Sequence, residues 1–102
     1  MSEFIKAGTK TDFKDGGLTG VVLNDRAVCV ARAGETFYAF DDKCTHAQVL
    51  LSRGDLEDGE VVCPLHGARF SPQTGEALTP PAVKPVITYE VKVDGDAVYV
   101  LL

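Results

Sequence analysis

Two short pairs of donor residues carry the chemistry open to this chain: Cys44-Thr45-His46 and Cys63-Pro64-Leu65-His66. Sixteen residues separate His46 from Cys63, so the pattern is C-x-H-x16-C-x2-H. It uses both histidines and two of the three cysteines. Thiolate and imidazole are the ligands from which zinc, copper and iron–sulfur sites are built. A pair spaced one or two residues apart on a tight loop offers both donors to one metal centre or to adjacent ones. Two such loops make a site of two sulfurs and two nitrogens.

Three readings fit these donors. Structural zinc is the first, but its usual order is a Cys pair followed by a His pair, and here each half is mixed. The second is a [2Fe–2S] cluster in which two His replace two Cys on one iron. Mixed pairs suit it, because each loop gives its Cys to one iron and its His to the other. The third is four unrelated core or loop residues. The rarity of Cys and His, and their concentration in this one pattern, argue against it.

The flanking segments read as the strands and turns that must hold two such loops. Residues 3–8 form a first strand, and the polar segment 9–17 ends in the turn Asp15-Gly16-Gly17. Residues 18–23 and 26–32 read as a hairpin about Asn24-Asp25. Ala33-Gly34-Glu35 turns the chain into the aromatic strand 36–40. After the first pair, Val49, Leu50 and Leu51 are placed to shield one side of a metal site. Residues 54–56 and 60–62 pair about Asp58-Gly59, and the second donor pair ends that hairpin. Arg69-Phe70 opens another short pairing, with Pro72 to Gly75 as its turn. Three prolines between 80 and 85 impose a stiff, extended connection. Ile87, Tyr89, Val91 and Val93 alternate with polar residues and read as one buried face of a closing hairpin that returns over 97–102. No window of eleven or more residues has a helical period. The expectation is an all-β protein, a small antiparallel sandwich with an inserted subdomain, about 42–80, within a single domain 1–102.

The two boxes, C-T-H and C-P-x-H-G, resemble those of the Rieske family with a similar gap. The likeness includes Gly67 and extends to Leu51-Ser52-x-Gly54, Phe70, Thr74-Gly75 and the proline turn. It covers the length of a small Rieske ferredoxin. The resemblance implies the same fold and one [2Fe–2S] cluster per chain, held by Cys44, His46, Cys63 and His66. It also implies a surrounding shell of Val49, Leu65, Gly67, Ala68, Phe70, Pro80 and Pro81, the two prolines covering the cluster.

Length and composition agree with one modest core: 102 residues, 25% charged and 45% apolar. No apolar run has the length of a membrane span. Met1-Ser2-Glu3-Phe4 lacks the basic and apolar parts of a signal peptide, and the expected location is the cytoplasm. A formal charge of −5 does not suit nucleic acid and favours partners with basic docking surfaces. Three cysteines argue against a disulfide framework. Cys29, the one left over, lies in Ala27-Val28-Cys29-Val30-Ala31 and reads as a small buried hydrophobe.

Respiratory and photosynthetic Rieske proteins carry a disulfide between the two loops. The matching positions here are Val49 and Leu65, so the resemblance points to the ferredoxin branch. High-potential members have a Ser and a Tyr, two and four residues after the second His, that hydrogen-bond to sulfur. Here these are Ala68 and Phe70, so the expected potential lies at the low end of the Rieske range, about −150 mV. Both histidines are committed to the cluster, which leaves none for a mononuclear iron or a general base. The expected role is therefore a non-enzymatic electron carrier. It is a monomer that takes electrons from a flavin-containing NAD(P)H-dependent reductase and gives them to a terminal oxygenase, through a tip formed by His46, His66, Ala47, Gln48, Leu65, Gly67 and Pro81. The alternatives are the small subunit of an assimilatory nitrite reductase, a zinc-stabilised interaction module, and a cluster-based redox sensor.

Overall fold

The computed structural model describes residues 3–43, 49–64, 67–79 and 84–102. Among them it is nearly all β, with three antiparallel sheets. The first sheet has the order β1-β10-β9, from β1 (Phe4–Thr9), β9 (Val91–Asp94) and β10 (Ala97–Leu101). The second has the order β2-β3-β4-β8, from β2 (Gly17–Leu23), β3 (Arg26–Ala33), β4 (Thr36–Asp41) and β8 (Thr88–Tyr89). The third, β5-β6-β7, is built from β5 (Asp55–Glu57), β6 (Glu60–Val62) and β7 (Arg69–Phe70). It lies in sequence between β4 and β8, as the inserted-subdomain reading requires.

Local chemistry makes the hairpins. Asn24 and Asp25 have φ of 50° and 62°, and Asp58 and Gly59 have 51° and 77°. Two successive left-handed residues form the turn whose twist matches paired strands, and Asn, Asp and Gly tolerate it best.

The second sheet is the middle layer. Along β3, Val28 and Val30 join cores shared with Val98 and Val100 of the first sheet. Cys29 and Ala31 join another core with Leu51, Val61, Cys63, Ala68 and Phe70. Successive side chains point to opposite faces of a strand, so β3 is buried on both sides. Its unbroken apolar run follows from that. Cys29 is fully buried, as its sequence context suggests. Desolvation pushes its thiol far above the ordinary range, and the nearby charge of Asp42 adds to the shift.

One expectation needs correction. Residues 87–93 are not one strand with one buried face. Thr88–Tyr89 pairs with β4, whereas Val91–Asp94 pairs with β10. The chain crosses between sheets at Glu90, so alternation over the whole run has no single face to fill. Ile87 is 61% exposed and Val93 39%; Tyr89 and Val91 pack on the core between the sheets. Tyr89 ties the crossing down: its hydroxyl donates to Asp41 Oδ1 at 2.8 Å, and the Arg26 guanidinium stacks over its ring.

Candidate metal centre

Cys63 follows the last residue of β6 and is 1% exposed. Its amide donates to the carbonyl of Ala68 at 2.7 Å. That bond joins the first residue of the second donor box to the residue just past its end, and β7 follows to pair with β6. Gly67 turns the loop with φ of 67° and is exposed, with open space where a Cβ would stand. Ala68 and Phe70 are fully buried beside Cys63 in one apolar core, against which Val49 packs.

The first donor box springs from a second anchor. Lys43 and Leu50 pair across the loop between them. Leu51 is fully buried in the core that holds Cys63, and begins a single turn of 3-10 helix, Leu51–Arg53. Of the three apolar residues expected to shield the site, Val49 and Leu51 lie on that core. Leu50 does not, because at 39% exposure it faces outward. The turn ends at Gly54, where a Cβ would collide with the carbonyl oxygen of Val62 and stand 3.1 Å from Cδ of Pro64. Glycine therefore lets the exit of the first box lie against the entrance of the second.

The proline segment is held at both ends. The Arg69 amide donates to Thr79 Oγ1 at 3.0 Å, and Leu78 donates to the Arg69 carbonyl at 2.8 Å. On the far side, Val86 donates to the Gly75 carbonyl at 2.8 Å. Gly75 has φ of 79°, and a Cβ there would strike the carbonyl oxygen of Val86. Ala77 and Val86 belong to the same core as Cys63. Residues flanking all three segments thus share one core with Cys63.

Cys63, Val49, Gly67, Ala68 and Phe70 are the site residues placed among the described ones. Cys44, His46, His66, Leu65, Pro80 and Pro81 lie outside them, as do Ala47 and Gln48. The described residues by themselves hold no group of three or more Cys, His, Asp and Glu able to bind a metal ion.

Sequence reasoning overlooked Asp42, which is 3% exposed. Its carboxylate accepts the Ser52 amide at 2.6 Å and the Ser52 hydroxyl at 2.7 Å. In the run Asp41-Asp42-Lys43 it resembles a solvated charge, and its partner Ser52 lies ten residues on.

The donor chemistry suits an iron–sulfur centre with mixed ligands. One sulfur is buried in an apolar wall that excludes water, and the segments bearing the remaining donors start from that wall. A family model described as "Rieske [2Fe-2S] domain" matches residues 3–90. The chain is 37% identical over 91 residues to the ferredoxin component of the naphthalene 1,2-dioxygenase/salicylate 5-hydroxylase systems of a Ralstonia species, covering 89% of this chain and 88% of that one. Its fold matches the ferredoxin of carbazole 1,9a-dioxygenase from Nocardioides aromaticivorans IC177, with a TM-score of 0.91, 34% identity and 95% of each chain covered. It also matches a chain in a complex of reduced oxygenase and oxidised ferredoxin of carbazole 1,9a-dioxygenase, with a TM-score of 0.87, 34% identity, and 95% and 91% covered. A structure described as a putative nitrite reductase small subunit shares the fold alone, with a TM-score of 0.86 at 24% identity over 98% of this chain and 99% of that one. By its matched length, its buried cysteine wall and its relatives, this chain belongs to the Rieske [2Fe-2S] domain family, whose cofactor is a Rieske-type [2Fe–2S] cluster.

Proposed function

We propose that the chain is a one-electron carrier that serves a terminal oxygenase and is loaded by a flavoprotein reductase using NAD(P)H. Cys44 and Cys63 would hold one iron of the cluster, and His46 and His66 the other. The observation that carries this reading is that residues flanking both donor boxes and the proline segment share one core with Cys63. When bound, the cluster supplies reversible one-electron chemistry.

The chain's own part is to shape that chemistry. Leu51, Val61, Ala68 and Phe70 exclude water from the Cys63 side. Ala68 and Phe70 bring no hydroxyl to the sulfurs, which keeps the potential low. The net charge of −5 steers the carrier toward basic surfaces on its partners. Gly67, the described member of the expected tip, is exposed, and an uncharged tip would suit brief contacts, which are typically small for electron carriers. The carrier acts as a monomer in the cytoplasm. The nitrite reductase reading has likeness of fold alone behind it, whereas the relatives at 34–37% identity are ferredoxins of dioxygenase systems.

The test is an EPR spectrum at low temperature of protein purified anaerobically and reduced with dithionite. The expected result is a rhombic signal whose average g-value lies well below that of all-cysteine [2Fe–2S] ferredoxins. A colourless protein holding zinc and reproducibly no iron would overturn the carrier reading in favour of a zinc-stabilised module.

A further inference from the structure

We propose that Gly20, Asp42 and Ser52 form a positioning device that sets where the first donor loop stands against the rest of the metal centre. The proposal rests on the assignment of Cys44 and His46 as ligands.

Asp42 lies just before that loop and Ser52 just after it. Three hydrogen bonds join the two sides. The Leu51 amide donates to the Asp42 carbonyl at 2.6 Å. The Ser52 amide donates to Asp42 Oδ1 at 2.6 Å, and the Ser52 hydroxyl to Asp42 Oδ2 at 2.7 Å. A fourth fixes the group to the middle sheet, from the Asp42 amide to the Ala27 carbonyl at 3.1 Å. Gly20 on β2 makes room for the pair. A Cβ there would stand 2.7 Å from Ser52 Oγ and 2.8 Å from Asp42 Oδ2.

A buried carboxylate is a costly way to fill a core. Among the described residues no cation forms an ion pair with Asp42. An apolar side chain of similar size would fill the space without that cost. What the carboxylate adds is direction. Its two oxygens lie in one plane at a fixed spacing and engage both donors of a single residue, so Ser52 has one permitted orientation. With both ends of the loop pinned, the loop has less freedom, and its donors are preorganised for metal.

The test compares reconstituted wild type with Asp42→Ala, Ser52→Ala, Gly20→Ala, Asp42→Asn and Val98→Ala. The readouts are the g-values of the reduced protein, the rate of iron release to a chelator, and Tm. In Asp42→Ala, Ser52→Ala and Gly20→Ala the g-values shift and iron leaves about tenfold to a hundredfold faster. Asp42→Asn recovers most of both, because its amide can accept from the Ser52 N–H and donate to Ser52 Oγ. Val98→Ala, in a core on the opposite face of the middle sheet, lowers Tm and leaves the g-values and release rate unchanged. Wild-type g-values and release rates in both Ser52→Ala and Gly20→Ala overturn the proposal, whether or not Asp42→Ala folds. A wild-type spectrum lacking the signature of nitrogen ligands overturns the ligand assignment and the proposal with it. A normal wild-type spectrum with unaltered variants overturns the device alone.

Discussion

The Cys63 amide donates to the Ala68 carbonyl at 2.7 Å, and both residues are buried in the same core. The backbone therefore places residue 68 beside the cysteine, in an apolar setting. A hydroxyl introduced there has few partners other than sulfur. Ala68→Ser combined with Phe70→Tyr should raise the reduction potential from the low end of the Rieske range, about −150 mV, toward positive values. Film voltammetry of the cluster-loaded variant measures it. An unchanged potential with an intact cluster would remove the hydrogen-bond account.

Gly54, after the first donor box, lies against Val62 and Pro64 at the entrance of the second through a contact that no side chain permits. Gly54→Ala should cost about 1–3 kcal/mol, the usual range for overpacking. For a domain of this size that is a fall in Tm of roughly 4–8 °C per kcal/mol. The iron content of the purified variant should fall with it. A melting curve superimposable on wild type would mean that the approach of Gly54 to Val62 is not needed.

Cys29 is sealed between β3 and the inserted sheet, and its thiol keeps its proton well above the ordinary value of 9.0. Above about pH 9 the unfolded chain loses that proton and the native one does not. The unfolded state then binds fewer protons, so this group makes stability fall as pH rises. Cys29→Ala should cost about 1 kcal/mol near neutrality, flatten the fall in Tm between pH 8 and 10, and leave the EPR signal intact. A steep fall that persists in the variant would assign the alkaline limb to other groups.

Among the described residues, two of the three cores contain no residue of the donor boxes: Phe13, Val30, Phe37 and Val98 form one, and Leu23, Val28, Ala39 and Val100 the other. Removing iron with a chelator under reducing conditions should leave the β-type far-UV circular dichroism while lowering Tm. Loss of that signal on chelation would mean that the whole fold depends on the cluster, as in zinc fingers.

The sequence by itself singled out the candidate donor set, because Cys and His are scarce and their spacing is local. It determined the tight hairpins at Asn24-Asp25 and Asp58-Gly59 as well, since left-handed backbone selects a few residue types wherever the chain goes. The same local logic failed over 87–93. Alternation there suggested one face, but β4 and β10 capture successive pieces of the run, and Ile87 is left exposed. Only the tertiary structure could show that β3 is buried on both faces, that Gly54 touches Val62, and that Asp42 is a buried clamp and not a surface charge. Those relationships join residues eight or more positions apart in the chain. Their energies come from desolvation and close packing against distant partners, which no short window of sequence contains.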